Sequence, residues 1–407
     1  MKVRRQLFGP NLIYCLWLMI VVALMVVLSC GADRVEEPDA DNLLKKLPKV
    51  QTEPVSVSHA QNFSVTYHDG YKVADLHFES EGRNMQFHQK LVLVQRGSQA
   101  PAKVGELKDA WFIDIPVATM AANHDGEVIR VKSLGLIDHI AGMGGGDIYD
   151  QELRSRWEQK EIASIGYSFH SVPEPELLMS SGAELLILHT YDNKGLTGMN
   201  KLRELGINAI PNFAWAEQSF LGKAEWIKFS SLFFNKEAEA NSLFDSISER
   251  CEALIEKVAE VDKKNTFLLY HPSGQADWMA HRNDFYASYL KAVSNNVLQD
   301  NGPTHSVGIN NEQLLSLASE ADFWIVNSTS DEQWPPANYL HNFKSYRNGN
   351  VYHYQKRTNY EHNAYDWYET PEVRPDLVLE DLVSIFYPEL LPDHNPVFFQ
   401  KVKLTKP

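Results

Sequence analysis

Rings and charges crowd a few short stretches of this 407-residue chain. Tyr167, Phe169 and His170 fall together, His189 and Tyr191 follow, and Trp215 stands in a third stretch; later come Trp278 with His281, then His305, then Trp334. Flat apolar faces with a few polar groups among them suit a bulky, partly planar ligand, the polar groups setting its orientation. Each of these aromatics also has an ordinary alternative as a core residue. Arg282 and Arg357 are candidates to neutralise an anionic ligand, or else solvated surface charges. His170, His189 and His305 offer a further possibility, a bare zinc or manganese ion, which needs three or four converging ligands.

Covalent chemistry finds less support. Asp147 with Asp150, and Asp138 with His139, are candidate acid/base pairs, but neither comes with the third group or the electrophile site a mechanism needs. The run GMGGGD at 142–147 lacks the lysine of a phosphate loop and the spacing of a dinucleotide fingerprint. There is no CxxC, HExxH or nucleophile elbow. The chain reads as a binder, with an enzyme on a two-lobed α/β scaffold as the alternative class.

The ring-bearing stretches follow strands in an alternating strand–helix pattern, which predicts parallel sheets covered on both faces. In the first half, strands are expected at Trp111–Pro116, Glu161–Gly166, Leu185–Leu188 and Ile207–Pro211. Helices are expected in VIRVKSLGLIDHI, with Leu134, Ile137 and Ile140 on one side, and at Pro173–Ser181 and Met199–Leu205. The second half repeats the rhythm: strands at Thr266–Tyr270, Phe323–Val326 and Asn350–Tyr354, helices at Phe285–Ala292, Gln313–Ala318 and Pro375–Tyr387. Between the halves, Gly222–Val261 holds no proline and no glycine after its first residue. Ala240, Leu243, Ile247, Cys251, Leu254, Val258 and Val261 recur in steps of three or four, which predicts one long helix joining two lobes. One segment recurs in both lobes: Glu176 opens a short helix leading into LLIL, and Glu312 opens one leading into FWIV. A carboxylate in a first helical turn is favoured by the helix dipole, so both are also plain N-terminal acids.

Residues 63–94 alternate in the strand manner, with Asp69-Gly70 as a turn, and predict a small β extension on the first lobe. Residues 30–54, charged and aperiodic, read as a flexible tether. At the start, Lys2, Arg4 and Arg5 precede the apolar run Leu12–Leu28, and Val27-Leu28-Ser29-Cys30 resembles the lipobox of bacterial lipoproteins. That implies cleavage before Cys30 and lipidation of its thiol; an ordinary signal peptide or an uncleaved membrane helix are the alternatives. Losing three basic residues with the leader moves the net charge from −15 to −18, which argues against nucleic acid and anionic lipid surfaces as partners. Cys251 is then the one unmodified cysteine, and its place on the apolar helix face predicts an inert core thiol.

Four segments resemble the periplasmic binding proteins of the iron-siderophore, haem and vitamin B12 class, which feed ABC importers. They are IPVATMAANHDGEVIRVKSLGLIDHIAGMGG; PEPELLMSSGAELLIL with LGINAIP after it; LGKAEWIKFSSLFFNKEAEA; and RPDLVLEDLVSIFYPEL. The resemblance covers about residues 112–390. It implies two Rossmann-like α/β lobes joined by a single long α-helix, with ligand held between them and no chemistry performed. The expected divisions are signal peptide 1–29, tether 30–54, β extension 55–104, first lobe 105–221, linking helix 222–261 and second lobe 262–407. The resemblance maps Glu176 and Glu312 onto carboxylates that dock on permease arginines. It makes the expected ligand a ferric siderophore or cobalamin, less so haem. The expected state is a lipid-anchored monomer in the cell envelope, with no intrinsic cofactor.

Overall fold

The computed structural model describes residues 39–50, 53–80, 83–166, 171–270, 278–281, 284–298, 307–331, 334 and 337–404. Cys30, Tyr167, Phe169, His170, Arg282 and His305 lie outside these residues.

Helix α1, Ala40–Lys46, occupies part of the expected tether; Asp39 caps it, and Leu43 and Leu47 are buried. Strands β1 (Phe63–His68), β2 (Tyr71–Ser80), β3 (Met85–Gln95) and β4 (Trp111–Ile115) form one four-stranded sheet. β1 to β3 are an antiparallel meander, and β4 runs parallel to β3 with Leu91 opposite Trp111. The first turn sits at Asp69-Gly70 as expected: His68 pairs Tyr71, and Gly70 takes φ 75°, where a side chain would be strained. β4, expected in the first lobe, belongs to this N-terminal sheet instead.

The first lobe is a five-stranded parallel sheet of β5 (Met120–Ala122), β6 (Ile140–Met143), β7 (Ala163–Ser164), β8 (Leu185–His189) and β9 (Asn208–Asn212), in the order β7-β6-β5-β8-β9. Its helices are α2 (Asp125–Ser133), α3 (Gln151–Glu158), α4 (Pro175–Ser181) and α5 (Asn193–Glu204). The helix expected to carry Leu134, Ile137 and Ile140 starts and ends earlier: Met120–Ala122 is a buried strand, and His124 caps the helix behind it. Strand residues on both faces are aliphatic and buried, the pattern of a sheet covered on both sides. Phe63, Leu76, Leu91 and Leu93 of the N-terminal sheet share one continuous core with Met120, Leu186 and Ile210. The extension is therefore fused to the first lobe.

The expected helix over 222–261 is broken into a helical hairpin, α6 (Phe220–Ser231) and α7 (Glu237–Ala259), and α7 is the long helix that joins the lobes, with Ala240 and Phe244 in the first core. Phe220 and Leu221 pack in the core of the second lobe, Trp226 to Phe234 in that of the first, and Ile247, Cys251 and Val258 return to the second. Asn235 makes the break. It takes φ 55°, and Lys236 N–H bonds back to Ser231 O at 3.1 Å, the closure that ends helices on a left-handed residue. Its side chain exchanges hydrogen bonds with Gln95 at 2.8 and 3.0 Å and accepts from Lys72, which also pairs with buried Glu237.

Two buried acids fasten the chain entering β1 to this hairpin. Glu225 accepts N–H bonds from Ser58, His59 and Ala60 at 2.6–3.1 Å. Glu217 accepts from Gln61, Asn62 and the Trp226 indole.

In the second lobe, β10 (Asn265–Tyr270) pairs parallel with β12 (Asn295–Asn296) and β14 (Phe323–Val326), and β14 with β15 (Val351–His353). Antiparallel β11 (Trp278–Ala280), β13 (Val307–Ile309) and β18 (Gln400–Lys401) complete the sheet. The small pair β16 (Thr358–Asn359) and β17 (Ala364–Tyr365) stands apart. Helices α8 (Phe285–Val293), α9 (Asn311–Ala318), α10 (Ala337–Leu340), α11 (Lys344–Arg347) and α12 (Pro375–Phe386) complete the lobe, and α12 packs on α7.

Candidate ligand cleft

A cavity of about 1110 Å³ opens where the C-terminal ends of the first lobe's strands face the second lobe. Its first wall begins with backbone geometry. Asn123, directly after β5, accepts from His189 N at 2.7 Å and donates to His189 O at 3.0 Å, so its side chain prolongs the sheet and fixes the end of β8. His189 then stacks on His124, ring centroids 4.1 Å apart and planes 10° from parallel. His124 Nδ1 accepts from Gly126 N at 3.0 Å. Burial pulls His124 down to about 4 and His189 well below its ordinary value, so both rings are neutral at pH 7. Tyr191 stands edge-on to His189 and to Trp215, each at 4.7 Å.

The second wall comes from the segment after β11 and from 363–372. His281 Nδ1 lies 2.5 Å from Asp284 Oδ2, while Asp284 Oδ1 caps α8 by accepting from Ala287 N at 2.9 Å. The His281 ring meets Tyr270 at 4.5 Å and Tyr286 at 5.3 Å, edge-on to both. Tyr365 and Tyr368 complete this side.

Charges close the floor. Glu372 of the second lobe pairs with Arg130 of α2 and with Lys223 of α6 at 2.5 Å. Burial alone would raise the Glu372 carboxyl; the charges of Lys223 and Arg130 more than offset it, and the group is held below its ordinary value. Glu127 links this group to the sheet, accepting from Asn212 at 2.6 Å and from Ser230 at 2.5 Å. A side chain on Gly126 would come within 2.8 Å of Glu372, so the close approach of α2 to the second lobe requires glycine there. Buried Glu369, outside the cavity lining, accepts from the N–H groups of Tyr149 and of Asp150, the latter at 2.9 Å.

Of the residues expected at a ligand, His189, Tyr191, Trp215 and His281 line this cavity. Trp278 and Trp334 do not. Both pack in the second lobe's core against Trp324, at 5.4 and 4.6 Å, and Trp278 is 2% exposed. Trp278 belongs to β11 itself, and its side chain falls on the covered face of the sheet. Arg357 is bound to Asp366 at 2.5 Å, with its guanidinium 5.2 Å over Tyr149 of the first lobe, a lobe-to-lobe contact beside the cavity. His124, Lys223, Tyr286, Tyr368 and Glu372 were not foreseen. For His124 the signal was the unrecognised strand before it; for Tyr368 it was the ring-rich run AYDWY.

Of the candidate acid/base residues Asp147 borders the cavity, and the others have structural explanations. Asp138 pairs with Arg156 at 3.0 Å and Lys46 at 3.2 Å, and the buried His139 ring donates to Ala118 O at 2.7 Å. Asp150 caps α3 and pairs with Lys132 at 2.6 Å. The glycine run is a packing device: a side chain on Gly142 would meet Ile165 at 2.9 Å, and one on Gly146 the Trp157 ring at 2.4 Å. Cys251 is fully buried, and burial pushes its thiol far up. Among the described residues no group of three metal-ligating side chains converges. Glu176 and Glu312 are exposed in the first turns of α4 and α9. Beside α4, at the opposite ends of the strands from the large cavity, lies a second cavity of about 560 Å³ bordered by Leu178, Met179 and Asn208.

No protein-family pattern matches the chain. An uncharacterized lipoprotein of Methanocaldococcus jannaschii is 23% identical over 334 residues, 78% of this chain and 77% of that one. Among solved structures, a periplasmic binding protein from Veillonella parvula superposes with a TM-score of 0.54 at 12% identity, covering 77% of this chain and 98% of that one. The apo form of a periplasmic haem-binding protein from Roseiflexus sp. gives 0.50 at 15% identity, covering 67% and 98%. An ABC-type Fe3+-hydroxamate transport protein from Saccharomonospora viridis gives 0.50 at 18% identity, covering 66% and 93%. The chain has the two-lobed α/β fold of periplasmic solute-binding proteins.

Proposed function

We propose that this protein is the solute-binding component of an ABC importer, anchored by lipid at Cys30, and that its cleft takes a metal chelate such as a ferric siderophore or a corrinoid. One observation carries the reading: the cavity of about 1110 Å³ between the lobes exceeds the ~300–1,000 Å³ of ordinary small-molecule pockets, and rings from both lobes line it. His189, Tyr191 and Trp215 on one side and His281 and Tyr286 on the other supply flat surface with few polar groups. The haem and Fe3+-hydroxamate proteins that share the fold support this ligand class. The related lipoprotein of Methanocaldococcus jannaschii supports the anchor.

Function here is capture and delivery. The first lobe, to residue 221, and the second, from 262, hold the ligand between them, and Glu176 and Glu312 register the loaded protein over a two-fold permease. Quenching of tryptophan fluorescence by haem, cobalamin and ferric siderophores tests the reading, together with the absorbance spectrum of protein isolated from its own host. Saturable quenching by one of them is expected. Failure of all three, with a tight response to Zn²⁺ or Mn²⁺ instead, would overturn the ligand class.

A further inference from the structure

The N-terminal sheet is more than an addition to the first lobe, because the end of its β2–β3 hairpin stands at the mouth of the cleft. Ser80 pairs with Met85 where the strands close, and Phe78, Ser80 and Arg83 border the cavity. Three contacts hold this end in place. Phe78 stacks on Phe213 at 5.0 Å and meets Trp215 edge-on at 5.2 Å. Asn193 Nδ2 donates to Asn84 O at 2.7 Å. The Arg83 guanidinium lies 5.0 Å from the Trp215 ring and 5.5 Å from the Tyr191 ring, a placement that orders a cation without neutralising it.

Several of the other charges bordering this cavity are compensated, while the acids Glu79, Asp125 and Asp147 border it as well. Arg130 and Lys223 are bound to Glu372, Asp284 to His281, and Glu217 to backbone N–H groups. Arg83 is exposed and has no carboxylate partner among the described residues. The indole N–H of Trp215 beside it is buried and has no acceptor among the described residues. Arg83 thus presents an unspent donor at one corner of the cavity, and a guanidinium offers a planar fork suited to carboxylate, catecholate or hydroxamate oxygens.

We infer that the β2–β3 hairpin is a third wall of the ligand site and that Arg83 selects for a ligand bearing an anionic oxygen group at that corner. The inference rests on the proposed role in chelate capture and adds a charge requirement to it. Conserving the two α/β lobes alone would give an incomplete site.

The experiment compares wild type with Arg83→Gln and Arg83→Lys, using fluorescence titration against a tris-catecholate Fe(III) complex, haem, and a neutral tris-hydroxamate Fe(III) complex. Circular dichroism melting establishes that the variants, altered at an exposed position, fold as wild type does. Loss of a charge-assisted hydrogen bond is expected to weaken the anionic ligand by about tenfold or more in Arg83→Gln. The neutral complex should change less than about twofold, and Arg83→Lys should fall between. Anionic and neutral ligands weakened equally, or neither weakened, would overturn the charge role of Arg83 while leaving chelate capture intact. If wild type binds none of the three and cobalamin no better, chelate capture itself fails and this inference with it.

Discussion

Lys223 Nζ lies 2.5 Å from Glu372 Oε1, and this contact, shared with Arg130, ties the first lobe, the helical hairpin and the second lobe together beneath the cleft. All three side chains are largely withdrawn from water, where an unpaired charge is far more costly than a paired one. Glu372→Ala would leave two buried cations facing each other. We expect a loss of roughly 3–5 kcal/mol in urea unfolding, and a smaller loss when Lys223→Met is added to Glu372→Ala. Equal stability of wild type and Glu372→Ala would show that the lobes do not depend on this junction.

The cleft also makes stability depend on pH. Asp125 is pushed up to about 7, by burial first and then by Asp147 and Glu372. Glu369 is pushed up to about 8, mainly by burial, against the pull of the Tyr149 N–H. The unfolded chain gives up these protons near pH 4, whereas the folded chain keeps them to higher pH. Stability from these groups is therefore complete below about pH 4 and is lost as pH rises toward 8. Glu372, held low, acts oppositely: its contribution is present above its unfolded value and is lost as pH falls through the folded one. Melting temperature should decline between about pH 5 and pH 8, and Glu369→Gln, which keeps an acceptor oxygen for the backbone, should flatten that decline. An unchanged slope in Glu369→Gln would exclude it as the source.

Core and cleft aromatics should separate cleanly. Trp278→Ala removes a ring from the second lobe's core and should cost about 3–5 kcal/mol. Tyr191→Ala should instead weaken ligand binding severalfold with a much smaller fall in melting temperature. The reverse pattern would mean that the walls of the site have been misassigned.

Permease docking predicts another separation. Glu176 and Glu312 are not among the residues lining the cavity and sit in matching first turns. Glu176→Ala with Glu312→Ala should leave ligand affinity unchanged and abolish uptake into cells or liposomes, each single variant being intermediate. Lost ligand affinity with retained uptake would show the mapping to be wrong.

Anchoring is tested at one atom. Cys30→Ala protein should fail to partition into detergent and should not take up radiolabelled palmitate; equal labelling of the variant would favour an uncleaved helix.

Local pattern was enough for much of this chain. The aliphatic run Leu185–Leu188, the Asp69-Gly70 turn and the paired Glu176 and Glu312 segments each carry their structure in a few neighbouring residues, because periodicity and turn chemistry act over short distances. The two lobes follow from those patterns. So do the positions of His189, Tyr191, Trp215 and His281 at or just beyond strand ends, where α/β sheets generally open toward ligands.

Other features depend on residues far apart in sequence. Asn235 breaks the long helix because Lys72 and Gln95, some 140 residues and more upstream, meet it in the core; a helix without glycine or proline showed no stop. β4 joined the N-terminal sheet because its register against β3 buries Ile113 and Ile115, a choice no strand makes alone. Trp278 and His281 are three residues apart, yet the pleat of β11 sends the tryptophan into the core and leaves the histidine at the cleft. The Arg130–Glu372–Lys223 junction required three elements to converge, since pairing of buried charges is decided only when packing has excluded water from all of them.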